Sequence, residues 1–117
     1  MIWIAIWALL DFASVAQEPP HPEIPSIVEE YFGEETITAL GVFWCESLHL
    51  PTAVSKTDDH GLAQLSQKWW GPEAFGEERW GQRYEIRANI AMSYEIWAYG
   101  EHSKGDGWLM WACGGDI

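Results

Sequence analysis

A chain of 117 residues, 48% of them apolar and nine of them Trp, has the material for one domain with one modest core and excludes a disordered segment. Its formal charge of −12 excludes nucleic acid as a partner, because phosphates repel such a surface. The same charge is awkward for any polyanionic target, unless salt shortens its reach to about 8 Å or less.

In chain order, the first feature is the unbroken apolar run from Ile2 to Leu10. It is too short to span a bilayer but suits the core of a signal peptide, so no membrane span is expected. Ser14-Val15-Ala16 supplies the small residues that a signal peptidase reads. Residues 1–16 are therefore expected to be a signal peptide cleaved after Ala16. No Lys or Arg precedes the run, and Asp11 interrupts its end. The alternative is a hydrophobic N-terminal helix packed on the domain. Residues 17–23, with QEPPHP at 17–22, form a proline-rich linker, and residues 24–117 form the domain.

Ser26-x-x-Glu29 resembles a capping box and predicts a short helix ended by Gly33. A second helix is predicted from Glu35 to Glu46, with Ile37, Leu40 and Trp44 on its apolar stripe. Pro51 and the polar run from Ser55 to His60 mark a loop or hairpin, with a small β element expected around residues 52–65. Ser66 is expected to cap a short helix through Trp70, stopped by Gly71-Pro72. The longest helix is predicted from Glu85 to Tyr99, with Ile86, Ile90, Ser93 and Trp97 on one side and Gly100 closing it. Asp106 can cap a last turn holding Trp108 and Trp111, both assigned to packing. The fold class is mostly α, an α+β arrangement of about five short helices.

Two cysteines, Cys45 and Cys113, fit a disulfide in an exported chain; two buried thiols are the alternative. The four histidines lack metal-ligand spacing, so neither a metal nor a cofactor is expected.

Between Phe43 and Ser47 the sequence FWCES sets an ionisable group, Glu46, at the end of the most apolar stretch of the predicted domain. Burial and the negative end of a helix dipole both disfavour a carboxylate's charged form. A carboxylic acid that keeps its proton near neutral pH is what a general acid requires. A solvated Glu near a helix end is the plain alternative.

Residues 37–70 resemble the lysozyme-like domains of lytic transglycosylases. The resemblance rests on Glu46-Ser47 at a helix end, Pro51-Thr52-Ala53-Val54-Ser55, Gly61-Leu62-Ala63-Gln64-Leu65, then Ser66 and Trp69. Tyr84 to Ile90 resembles the start of that family's Asn-Ile helix. The Cys-Glu-Ser run and the ending from Gly107-Trp108 to Cys113 are similar to resuscitation-promoting-factor domains. Two features depart from the pattern: Glu85-Ile86 stands where the family has Asp-Pro, and its C-terminal Tyr-Ala-Tyr-Asn-type motif is missing.

The resemblance implies an exported protein, secreted or periplasmic and bacterial or phage-encoded; a monomer is expected. It would cleave the β-1,4 bond between N-acetylmuramic acid and N-acetylglucosamine in peptidoglycan strands. Glu46 would be the single acid/base, as in a transglycosylase, or would work with Asp58 or Asp59, as in a hydrolase. Around the substrate the resemblance places Gln64, Asn89, Ser47 and Asp59, with Trp69 as the sugar-stacking aromatic. Each has an ordinary alternative. Asn89 could bridge a helix to a loop, Gln64 could bridge backbone groups, and Ser47 could hold Glu46 or a backbone group. Asp58-Asp59-His60 could be a solvated turn, and of Trp69, Trp70 and Trp80 only one is expected at the cleft. A non-catalytic wall-binding or virion module is the competing class.

Overall fold

Ile24, Ile27, Val28 and Phe32 recur at helical spacing and are all buried, so the first described helix turns one apolar face inward. The computed structural model describes residues 21–116; the expected signal peptide and most of the linker lie outside them. The elements are α1 (Glu23–Phe32), a 3-10 turn (Gly33–Glu35), α2 (Thr36–Ser47), β1 (Asp59–His60), β2 (Leu65–Ser66), α3 (Gly71–Phe75), α4 (Glu77–Gly81), α5 (Ile86–Lys104), and 3-10 turns at Gly107–Met110 and Cys113–Asp116. This is the expected mostly helical α+β class with one small two-stranded sheet. No described helix is long and apolar enough to cross a membrane.

The core is aromatic and centres on Phe32. Its ring lies 5.9 Å from Phe43, 5.5 Å from Tyr94, 5.9 Å from Trp97 and 5.4 Å from Trp108, so one side chain joins α1, α2, α5 and the C-terminal run. The strands pair antiparallel, Asp59 with Ser66 and His60 with Leu65, and a further bridge joins Val54 to His60.

Several local expectations are corrected. α1 begins three residues before Ser26, whose hydroxyl donates back to the Glu23 carbonyl at 3.1 Å and caps nothing. α2 buries Ala39, Val42 and Phe43; of the predicted apolar stripe, Leu40 packs partly against the core, while Ile37 is 81% and Trp44 53% exposed. Residues 66–70 form no helix. Gly71-Pro72 opens α3 instead of stopping one, since Pro is tolerated in a first turn where its missing N–H has no partner to lose.

α5 runs through Gly100 to Lys104 and ends at Gly105, in the left-handed region at φ 80°. Gly100 serves packing: a Cβ there would lie 2.6 Å from the Met110 side chain and 2.9 Å from the Gly107 Cα. Asp106 does cap the next turn, its Oδ1 accepting the Trp108 N–H at 3.0 Å.

Candidate active site

Glu46 lies in the last turn of α2, one residue before the helix ends, and is half-buried. The disulfide Cys45–Cys113 joins its immediate neighbour to the end of the chain. The Cys113 N–H donates to Glu46 Oε2 at 3.2 Å. Burial pushes the Glu46 carboxyl above the ordinary carboxylate range; the Cys113 N–H opposes that rise, and the negative charge of Asp59 adds to it. An oxygen that accepts an N–H is a poor place for a proton. In the protonated form this contact favours Oε2 as the carbonyl oxygen and the hydrogen on Oε1.

The hairpin carrying Asp59 and Gln64 is fastened from three sides. From α2, the buried Ser47 hydroxyl donates to the Leu62 carbonyl at 2.6 Å. From α5, Asn89 uses its whole carboxamide: Oδ1 accepts the Ala63 N–H at 2.9 Å, and Nδ2 donates to the carbonyls of Arg83 at 2.8 Å and His60 at 3.3 Å. From the C-terminal run, Trp111 Nε1 donates to the Ala63 carbonyl at 2.8 Å. Gly61 allows the close approach. It holds φ +81°, and a Cβ there would sit 2.3 Å from Asn89 Nδ2. Ser47 and Asn89, named for substrate contact, thus spend their polar atoms inside the fold. Asn89 is 1% exposed.

Asp59 Oδ2 accepts hydroxyl hydrogens from Ser55 at 2.9 Å and Thr57 at 2.5 Å, which fix the carboxylate across its own turn. Gln64 donates Nε2 to the carbonyls of Gly61 at 3.0 Å and Ala53 at 3.2 Å, so its backbone-bridging role is present. Leu48, His49, Asp58 and Gln64 are the four non-glycine residues with positive φ among those described, and all fall between residues 48 and 64. Such conformations are uncommon outside constrained sites.

His60 carries a role the sequence did not suggest. Its ring is buried and both nitrogens are engaged. Arg83 Nε can only donate, and it meets Nδ1 at 3.2 Å beside the Tyr84 hydroxyl at 2.7 Å. Nδ1 is therefore the acceptor, and Nε2 gives its hydrogen to Asp58 Oδ1 at 2.7 Å. Arg83 also lies over the rings of Trp80 and Tyr84, 5.2 and 4.6 Å from their centroids. This network pins the hairpin to the segment before α5 and engages Asp58. The partners lie more than twenty residues apart in sequence, so no local spacing announces them.

The three candidate stacking tryptophans separate. Trp80 is buried, its indole N–H 3.3 Å from Gln67 Oε1. Trp70 is half-buried, and Trp69 is 73% exposed. Trp69 and Trp70 line a groove of about 650 Å³ with Tyr99, Lys104, Leu109 and Met110. No family model, curated protein or solved structure matches this chain.

Proposed function

We propose that this protein is a peptidoglycan-cleaving enzyme of the lytic transglycosylase type, exported from the cell, with Glu46 as its single acid/base. The observation that carries the reading is the placement of Glu46: a half-buried carboxyl in the last turn of α2, whose pKa burial raises against the Cys113 N–H, with Asp59 adding to the rise. Pure binding needs no such group. Asp59, whose charge acts on Glu46, lies on a hairpin locked by Ser47, Asn89 and Trp111, which is the rigidity that positioned acid catalysis needs. The disulfide is compatible with an extracellular setting.

In the proposed reaction, Glu46 Oε1–H protonates the glycosidic oxygen as the bond from the muramic acid C1 to that oxygen breaks. The carboxylate then takes the proton of the sugar's own C6 hydroxyl, whose oxygen closes on C1 to give a 1,6-anhydro end. No second carboxylate is consumed.

Asp59 favours a second reading, since its charge acts on Glu46 and it could direct a water in a lysozyme-type hydrolysis. Asp58 is less suited, being tied to His60.

Digestion of purified peptidoglycan by the full chain, beside Glu46→Gln, with mass spectrometry of the released fragments, tests both. Anhydro-muramic ends that vanish with the variant support the transglycosylase. Reducing ends that vanish with the variant support the hydrolase. If neither protein yields a product, the enzyme reading falls and a wall-binding or virion module takes its place.

A further inference from the structure

The net charge of −12 raises a question for the reading above: how does so acidic a chain hold a glycan that itself carries carboxylates? The groove beside α5 offers a local answer. Its volume of about 650 Å³ is in the range of ligand sites, roughly 300–1,000 Å³. Its wall is aromatic and apolar: Trp69, Tyr99 and Leu109 are 73%, 56% and 55% exposed, an unusual outlay of large apolar surface in a domain this small.

Two of the six Lys and Arg residues lie at this groove. Lys104 lines the groove, and the Lys68 ammonium lies 5.3 Å over the Trp69 ring. Neither makes an ion pair with a described carboxylate, whereas Arg79 and Arg87 are paired with Glu95 and Glu30. The acidic side chains near the same corner are engaged. Glu101 accepts the Gly107 N–H at 2.8 Å, and Asp106 accepts that of Trp108.

The groove is also tied to the candidate acid. Leu109 and Met110 form part of its wall, and three residues later Cys113 gives its N–H to Glu46. The Cα atoms of Met110 and Cys113 can be no more than about 11 Å apart along the chain.

Resting on the function proposed above, we infer that this groove is a binding subsite for the carboxylate-bearing part of the glycan strand. Trp69 offers a sugar ring the face that Lys68 does not cover, and Lys104 and Lys68 meet a lactyl or stem-peptide carboxylate. Stacking supplies affinity for any sugar. The lysines supply discrimination, making the protein selective for acidic strands over neutral N-acetylglucosamine polymers despite its overall charge.

The test is a tryptophan-fluorescence titration of the full chain carrying Glu46→Gln, which removes turnover. Two probes of equal length are used: a muramic-acid oligosaccharide bearing stem peptides, and a chitin oligomer. The acidic probe is expected to bind more tightly. Adding Lys104→Gln should weaken the acidic probe by roughly two- to fivefold, the size of an exposed ion pair, and leave the neutral probe unchanged. Trp69→Ala should weaken both by about tenfold, a central stacking contact. Both side chains are exposed, so melting temperatures should stay put.

Equal affinity for the two probes, or a Lys104 effect identical for both, overturns the inference. So does a concentration-dependent dimer in sedimentation that Trp69→Ala abolishes, which would assign the groove to a second copy. The two proposals fail separately. Strand cleavage by the wild type with no response to groove variants removes only the subsite. Selective binding without cleavage removes only the enzyme.

Discussion

Replacing Cys45 and Cys113 by alanine opens a loop whose ends are 68 residues apart in sequence. In the loop-entropy relation, closing a loop of that length removes about 15 cal/mol/K from the unfolded chain, or about 4 kcal/mol at 25 °C. A domain of about 100 residues unfolds with an entropy near 0.2 kcal/mol/K, so the expected fall in melting temperature is about 20 °C. The folded packing around the bridge should survive. Trp111 keeps its bond to the Ala63 carbonyl, and Trp108 keeps Phe32 and the Glu35 carboxylate, 2.7 Å from its indole N–H. The near-ultraviolet circular dichroism of the variant at 20 °C should therefore match the parent while its melt moves far down. A reduced wild-type sample should melt with the variant. A drop of less than about 5 °C would show that the unfolded chain gains little freedom from opening the loop, and the entropic reasoning would fail.

Glu46→Gln should cost at least about a hundredfold in glycan cleavage, the usual worth of a positioned general acid, measured by release of soluble fragments. The same change should raise stability at neutral pH. Burial lifts the Glu46 pKa in the folded state, so its favourable contribution is whole below the ordinary carboxylate range and is lost as pH rises through the raised value. The variant should accordingly melt above the parent at pH 7.5, with the gap closing toward pH 4 in calorimetry. Asp59→Asn removes a negative charge that holds the Glu46 pKa up, so the alkaline limb of the pH-rate profile should move to lower pH; an unmoved limb would mean the two groups do not sense each other. Asn89→Ala leaves the Ala63 N–H and the His60 and Arg83 carbonyls without their side-chain partner, for a loss of about 2–4 kcal/mol in urea unfolding.

What the sequence conveyed and what it missed divide by range. Glu46 at a helix end, the Asp106 cap and the Cys45–Cys113 pairing were legible because each depends on a few adjacent residues or on simple parity. The inward face of α2 was not. Ile37, Leu40 and Trp44 make one helical stripe; Ala39, Val42 and Phe43 make another, and in a chain so rich in apolar residues periodicity fits both. The choice is made from outside the helix, by the rings of Phe32, Trp108 and Trp111 meeting Phe43. Gly71-Pro72 was ambiguous for a different reason: the dipeptide suits either end of a helix, and only the next turn decides. Asn89 and Ser47 were placed at the substrate by the family resemblance alone, with a bridging role as the ordinary alternative for each. The structure supplies the bridging partners from the hairpin backbone.

The carboxylate at the end of an apolar helix is explained only in part by its neighbours in sequence. Val42 and Phe43, one turn back on the same face of α2, are buried in the core, and Glu46 sits half-buried at that core's edge. The disulfide brings the C-terminal run against Glu46, and the same run delivers the Cys113 N–H. These two effects have opposite sign: covering the carboxyl raises its pKa, and donating to it lowers the pKa. Packing that covered Glu46 without an N–H would leave a stronger hold on the proton but no preference between the oxygens. The N–H gives up part of that hold and directs the proton to Oε1. A residue that must both give and take a proton within one reaction gains from this balance, since an acid held too firmly protonated makes a poor base in the second step.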